Sequence, residues 1–526
     1  MSVPPSERRV LFLIADTGAG HRSAANAIHH AMRMLAESPA LSSPRHAIPD
    51  HRSPARTSRV YDNSGWNALI VDAFVACSRF PLRKGVSLYG PAIKHSPRLY
   101  GQFFRITNSK SRFRTAWRFA KPFLYQGLAH LLLETQPDVI VSVHPLLNHI
   151  TLQVLRDLDV RVPFLTVVTD LVSIHYSWMA PGVSECVVPT EEARRFAVSN
   201  GMPAKRVHLL GMPIDPKFAQ PPAGTRAMLR AELGLDPDLP TILLVGGGEG
   251  AIGLGDAAMA VGLSDMPVQM VVVCGRNKTL YTRLQQARLR FRVPTGVLGF
   301  IQNMPDLMHA ADVIVTKAGP GTISEAMACG LPIVLTGAIP GQEEGNIRFV
   351  SENELGMVAR TPSAVLDALR ELLTPCSPRL ALLRANVGRM SRPEASFDIA
   401  RLILKYLPPI GSPSAWARAQ RSAAARRYRP RPGHLSRQPR QGLHTLNAAF
   451  TASRGRRRTL QGGRLLAVLR ARTGDRSRRI ARLTDIIGAR ALLLRSTSLG
   501  KGQLRRIHRP RRLDEDTAPT QSDDGM

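Results

Sequence analysis

The chain reads as an α/β protein built from two doubly wound, parallel-sheet lobes with a cleft between them. Three observations predict this. Short continuous apolar runs, of the kind that fill buried parallel strands, alternate with helical stretches along most of the chain. The alternation occurs twice, and a Pro-, Gly- and Asp-rich stretch at 216–239 separates the two sets. The glycine-rich turns fall directly after the strand runs, where parallel sheets hold their ligands.

The first set opens with VLFLIA at 10–15, followed by DTGAGH and an alanine-rich helical stretch. Residues 38–58, rich in Ser, Pro and Arg, read as a loop or disordered insertion. Further strands are expected at 139–143, 164–168, 186–188 and 207–210, and the set closes at GMPID, 211–215. After a linker and lead-in helix at 216–239, the second set places strands at 242–245, 268–274, 296–298, 313–315 and 333–335. A closing helix is expected from 395. The expected domains are therefore an N-terminal α/β lobe at 8–215, a C-terminal α/β lobe at 216–394, the closing helix at 395–408 and a basic tail at 411–526.

A chain of 526 residues suggests two or three domains and is long enough to bury substantial cores. No apolar run approaches the roughly 18 residues of a membrane span. The N-terminus passes from polar residues straight into a strand and lacks the pattern of a signal peptide. The five cysteines, at 77, 186, 274, 329 and 376, show neither CxxC nor metal-ligand spacing, so reduced thiols, a cytoplasmic setting and no structural zinc are expected.

The formal net charge is +32. Residues 411–526 carry 27 Lys and Arg against 7 Asp and Glu, a net of +20, leaving +12 on the body. Such a balance implies polyanionic partners: an anionic membrane, nucleic acid or a phosphorylated substrate. The tail reads as largely disordered, with one amphipathic helix, or as an extension with no specific function.

The most informative stretch is TKAGPGTISEAMACGLPIVLTGAIPGQEEGN, 316–346. Strand, tight turn, helix, strand and polar loop is how an α/β protein builds an anion pocket. The glycines let backbone approach a phosphate, and the helix N-terminus points its free N–H groups at it. Glu325 lies about one helical turn beyond Gly321, where a carboxylate can bind sugar hydroxyls; the bland alternative is a solvated acid on an ordinary strand–helix turn.

In DTGAGH, Gly18 and Gly20 open the loop after the first strand and His21 lands at the helix start. An imidazole there can take a proton from an incoming hydroxyl, its ordinary pKa being about 6.5; otherwise it caps the helix. His144 in SVHPLLNH and Asp170 in VVTDL also follow strands and would face the cleft, or else hold their loops. GGGEG at 246–250 is a phosphate-loop candidate, and CGRN at 274–277 ends another strand. The sequence offers no HExxH, no acidic DxD pair at a strand end and no metal cluster, which points away from metal-dependent sugar transfer.

Residues 73–133 hold eleven Lys and Arg and eleven aromatics with no Asp or Glu. Basic residues attract anionic headgroups while aromatics insert at the interface. The same mix could grip single-stranded nucleic acid, or form a core helix pair with solvated arginines.

LFLIADTGAGHRSAANAI, PDVIVSVHPLLNH and TVVTDL resemble the N-terminal half of the monogalactosyldiacylglycerol synthases and related diacylglycerol glucosyltransferases. LLVGGGEG, VVVCGRN and GFIQNMPDLMHAADVIVTKAGPGTISEAMACGLPIVLTGAIPGQEEGN resemble their C-terminal half. These enzymes belong to glycosyltransferase family 28, and the resemblance covers residues 8–405. It implies the type B glycosyltransferase fold, with the acceptor and membrane bound by the lobe at 8–215 and the UDP-sugar by the lobe at 216–394, and metal-independent, inverting transfer of galactose or glucose from a UDP-sugar to diacylglycerol. UDP-hexose is then a substrate, with no cofactor. His21 would be the general base, with Gly18 and Gly20 lining the loop beside it. Gly319, Pro320, Gly321 and Thr322 would hold the diphosphate, and Glu325 the ribose. Gln342 and Glu343 would contact the donor sugar, with Asn346 nearby. Arg276 and Gly247, Gly248 and Glu249 would lie along the nucleotide cleft. Two departures stand out: Ala19 replaces a common third glycine, and GQEEGN replaces the commoner GQEKGN, removing a positive charge near the donor site.

The expected protein is thus a peripheral enzyme of the cytoplasmic membrane face. The alternatives are transfer to a polyprenyl-type acceptor, or a non-catalytic protein that binds anionic surfaces or nucleic acid. The intact cleft motifs argue against the last of these, so nucleic acid is not expected as a partner.

Overall fold

The structure, a computed structural model, describes residues 8–16, 20–37, 65–80, 82, 96–222, 224–246 and 253–416. The insertion at 38–58, Gly18, the Gly247–Glu249 stretch and the tail beyond 416 lie outside the described residues, as do 81 and 83–95 of the basic aromatic segment.

The N-lobe runs β1 (Arg8–Ile14), α1 (Gly20–Glu37), β2 (Trp66–Asp72), α2 (Ala73–Cys77), α3 (Pro97–Thr107), α4 (Lys110–Ala120), α5 (Pro122–Thr135), β3 (Val139–Ser142), α6 (Asn148–Asp157), β4 (Phe164–Val167), β5 (Glu185–Val188), α7 (Glu191–Ser199) and β6 (Val207–Leu209). Its strands pair in parallel in the order β2-β1-β3-β4-β5-β6. Strand β1 shows why such strands read as unbroken apolar runs. Val10, Phe12 and Ile14 pack toward α1, while Leu11, Leu13 and Ala15 pack toward α2 and α5, so both faces are buried.

The C-lobe continues with α8 (Arg226–Glu232), β7 (Thr241–Val245), α9 (Leu254–Leu263), β8 (Gln269–Val273), α10 (Lys278–Ala287), β9 (Thr295–Leu298), α11 (Met304–Ala310), β10 (Val313–Lys317), α12 (Pro320–Ala328), β11 (Ile333–Gly337), α13 (Glu344–Glu352), β12 (Gly356–Val358), α14 (Pro362–Leu373) and α15 (Pro378–Met390). Its strands are also parallel, in the order β12-β11-β10-β7-β8-β9. Leu243, Val271, Ile314 and Ile333 face one helical layer, and Ile242, Met270, Val313 and Val334 the other.

Each sheet has an edge strand that the apolar runs do not announce. β2, WNALIVD, is only partly buried and carries Asn67 near its start. β12 is three residues long. The segment at 216–239 joins the C-lobe: Arg226 and Arg230 of α8 both pair with Asp312 beside β10.

The chain then returns. α16 (Ala395–Leu404) packs on α1, and Phe397, Ile399, Ala400 and Ile403 share a core with Val10, Phe12 and Ile28 of the N-lobe. The stretch read as tail also begins in that lobe. Trp416 is fully buried, and its indole N–H donates to the Pro137 carbonyl at 2.8 Å.

Candidate active site

In an open parallel sheet, a crevice forms at the strand carboxyl ends where the winding order reverses. In the N-sheet that point lies between β1 and β3, so Ala15–Asp16 and Val143–His144, which directly follow these strands, border it. In the C-sheet it lies between β7 and β10, whose ends lead to Gly246 and to Ala318–Gly319. The segments that leave β1 and β10 therefore start from these two points.

His21 sits in the first turn of α1. Its ring lies 4.7 Å from that of His144, nearly edge-on, and 6.4 Å from that of Trp178. Its Nδ1 is 3.2 Å from Thr169 Oγ1, and the ring also hydrogen-bonds the Val143 backbone. Burial lowers its pKa to about 4, against the opposing pull of the Val143 hydrogen bond and the Asp16 charge, so the imidazole is neutral at pH 7. His144 is held well below the ordinary range by burial and by His21 beside it. Asp16 pairs in a fork with Arg22 at 2.7 and 2.6 Å. The Asp16 N–H donates to Asp72 Oδ2 at 2.9 Å, while Asp72 Oδ1 caps α2 through Phe74 and Val75. Edge strand β2 thus ends in the acid that holds the backbone of Asp16, just beyond β1.

On the opposite wall, Gly319 is the N-cap of α12 and Pro320 occupies its first turn, where a missing N–H costs nothing. No side chain among the described residues caps this end. A Cβ added at Gly321 or at Gly20 would meet nothing within 4 Å among the described residues, and neither residue has a left-handed backbone. Packing among the described residues does not require glycine at either position, and the backbone there is left open to approach. Thr322 follows, partly buried. Glu325, a turn further on, has its pKa pushed up to about 7, by burial first and by Asp215 second. Arg276 is exposed at the end of β8, with its guanidinium 5.4 Å from the centre of the exposed Phe300 ring.

The residues of the loop after β11 divide. Both oxygens of the buried Glu343 are engaged by the protein: Oε1 by the Lys317 ammonium, and Oε2 by the Ile339 N–H at 2.9 Å. Asn346 donates to the Ala318 carbonyl at 2.9 Å. These two bind the loop to the turn before α12. Gln342 instead faces the N-lobe: its Oε1 accepts from the Tyr100 hydroxyl at 2.9 Å, and its side chain hydrogen-bonds Asp170. Asp170 also accepts from the Trp178 indole at 2.7 Å. Burial pushes Asp170 up to about 6; its two hydrogen bonds oppose this, and the Glu343 charge adds to it. A continuous chain of contacts therefore crosses the cleft, from His21 to Trp178, Asp170 and Gln342.

The sequence marked His21, Asp170 and Gln342 of this chain but not Trp178. Thr169 and Lys317 stand inside stretches singled out for other residues. Tyr100 lies in the basic aromatic segment. Trp178 and Asp72 carried no signal, because a buried tryptophan reads as core and a strand-end acid as a cap.

The basic aromatic segment also divides. Phe74, Phe113, Leu124, Leu128 and Leu132 are buried in the N-lobe core. Leu99, Phe103 and Ile106 on α3 and Phe119 on α4 are exposed, between 57% and 74%, among exposed Arg98, Lys110, Arg112, Arg114 and Arg118. Among the described residues, no helix is long and apolar enough to cross a membrane.

Two parallel-sheet α/β lobes with a cleft between them form the architecture of type B glycosyltransferases. Residues 55–214 match the family model of monogalactosyldiacylglycerol (MGDG) synthase, and residues 241–373 that of the glycosyltransferase family 28 C-terminal domain. Monogalactosyldiacylglycerol synthase 1, chloroplastic, of Arabidopsis thaliana is 33% identical over 401 residues, covering 74% of this chain and 70% of its own. Monogalactosyldiacylglycerol synthase 3, chloroplastic, of the same plant is 34% identical, covering 75% and 80%. The chain belongs to the monogalactosyldiacylglycerol synthase family and is a glycosyltransferase that acts on lipid. Among solved structures, MurG of Acinetobacter baumannii superposes with a TM-score of 0.46 at 14% identity, covering 76% of this chain and 99% of that one.

Proposed function

We propose that the protein moves a hexose, galactose or glucose, from a UDP-sugar to diacylglycerol, with inversion and without a metal, while docked on the cytoplasmic face of a membrane. The observation that carries this reading is the neutral His21 imidazole at the N-lobe switch point, joined through Trp178 and Asp170 to Gln342 in the C-lobe loop after β11. The glycerol hydroxyl oxygen attacks the anomeric carbon as its proton passes to His21. The bond from that carbon to the β-phosphate oxygen breaks, and its electron pair leaves with UDP. One displacement inverts the centre. The N-terminus of α12, which no described side chain caps, receives the developing negative charge, the role a metal plays elsewhere. Bound diphosphate near His21 would also raise the imidazole's proton affinity when it is needed.

The exposed apolar residues of α3 and α4, ringed by arginine and lysine, suit insertion among anionic headgroups. This surface is on the N-lobe, the side assigned to the acceptor.

The test is transfer from UDP-[14C]galactose and UDP-[14C]glucose to diacylglycerol in anionic liposomes, with and without EDTA. Labelled β-glycolipid from at least one donor, insensitive to EDTA, is the expected result. No labelled lipid from either donor overturns the reading. In the same assay His21→Ala should lose transfer by about 100-fold or more, with UDP affinity within about 2-fold; normal turnover would remove His21 as the base.

A further inference from the structure

Gln342 belongs to the C-lobe, in the loop between β11 and α13, yet the N-lobe holds its side chain. α3 is built for this contact. Its outward residues Leu99, Phe103 and Ile106 are exposed, while Tyr100, Gly101 and Phe104 turn inward. A Cβ at Gly101 would come within 2.9 Å of Pro340 Cβ, and a Cβ at Gly341 within 3.1 Å of the Gly101 carbonyl oxygen. Glycine on both sides lets helix and loop backbones touch. Tyr100 then reaches Gln342 Oε1 at 2.9 Å, and Arg105 pairs with Glu344 at 2.8 Å. The helix is braced from behind: Phe104 packs against His175, and Thr107 Oγ1 lies 3.2 Å from its Nε2. With its oxygen accepting from Tyr100 and its other contact on Asp170, the Gln342 amide is fixed in one orientation. An unheld amide could present either its oxygen or its nitrogen to a sugar hydroxyl.

We propose that Tyr100 is a positioning residue for the donor hexose: it reaches from the N-lobe across the cleft and orients Gln342 of the C-lobe. The inference rests on the reading of a UDP-hexose donor whose sugar meets Gln342. It also ties the donor-sugar subsite to the helix that carries the exposed apolar face, so the two lobes must meet before the sugar is gripped.

The experiment compares wild type, Tyr100→Phe, Gln342→Ala and the double variant, as full chains, in the liposome assay. UDP binding is followed separately by calorimetry. Tyr100→Phe should raise KM for the UDP-hexose about 5- to 30-fold, the size of one lost hydrogen bond with its orientation. The affinity for UDP, which lacks the hexose, should stay within about 2-fold, as should KM for diacylglycerol. Gln342→Ala should lose at least as much, and the double variant no more than Gln342→Ala alone. An unchanged donor KM in either single variant overturns the inference. So does an equal loss of UDP affinity, which would mark a merely structural role, or losses that multiply in the double variant. If wild type itself transfers no hexose, the functional reading falls and this inference with it. If wild type transfers normally and Tyr100→Phe matches it, only this inference falls.

Discussion

His21, His149 and His175 are each drawn down to about 4 by burial, and burial holds His144 well below the ordinary imidazole range. The folded chain therefore refuses protons that the unfolded chain accepts once the pH falls below about 6.5. The stability these residues contribute is fully present above about 6.5 and is lost as the pH falls toward 4. Asp170 and Glu325 act with the opposite sign. Burial raises them to about 6 and about 7, so folding binds protons there that the unfolded chain has released, and acid favours them. Four histidines outweigh two carboxyls. Near pH 5 these six groups together should give a slope of about 3 kcal/mol per pH unit, since one full proton is worth about 1.4 kcal/mol per unit. The melting temperature should accordingly fall steadily from pH 7 to pH 5 in buffers of matched ionic strength. A flat or rising profile would mean that these rings are solvated, which would also remove the case for a neutral His21. At this scale the sequence exposed residues that stand beside glycine turns, such as His21 and Glu325. It hid Trp178 and Asp72, whose roles arise from neighbours 8 and 56 residues away, Asp170 and Asp16.

Helix α12 shows most clearly how an element can be designed around an absent side chain. Alanine at Gly321 would meet nothing within 4 Å among the described residues, and the backbone there is not left-handed. Alanine also favours a helix over glycine by about 0.5–1 kcal/mol. Gly321→Ala should leave the melting temperature unchanged or slightly higher, yet weaken UDP about 10-fold or more by blocking the diphosphate. Calorimetric titration with UDP beside a thermal melt checks both halves. Unaltered UDP affinity would move the diphosphate away from this turn. The central strands were legible because burial on both faces leaves an unbroken apolar run. Edge strands β2 and β12 were not: the first is partly exposed and the second spans three residues. Helix α3 was legible as basic and aromatic, but its division into an outward apolar face and an inward latch depends on where the loop at 340–346 comes to rest.

Over the whole molecule, the chain crosses from N-lobe to C-lobe and back, and the two crossings lie side by side. A Cβ at Gly211, whose φ is +102°, would come within 2.8 Å of Arg392 Cβ and 3.1 Å of Ala395 Cβ, and Ser396 Oγ donates to the Ile214 carbonyl. The return path does not stop at α16. It continues until Trp416 is buried in the N-lobe core with its N–H on Pro137, although composition alone put the boundary of the ordered body near residue 410. One indole in a stretch of Gly, Ser, Pro and Ala is too little signal to overrule its surroundings. Two truncations separate the contributions. A chain ending at residue 416 keeps this anchor and should melt and transfer sugar like the full chain, which is what a tail without a part in the reaction requires. A chain ending at residue 410 exposes the pocket that Trp416 fills. It should lose about 3–5 kcal/mol, the cost of removing a buried aromatic, out of a total that for most proteins is only about 5–15 kcal/mol. Thermal melts and liposome transfer on the two forms decide the matter. Equal melts would mean that Trp416 does not anchor the N-lobe. Loss of transfer by the 416 form, at an unchanged melt, would make the basic segment part of the membrane reaction, acting through its net charge of +20 rather than through the fold.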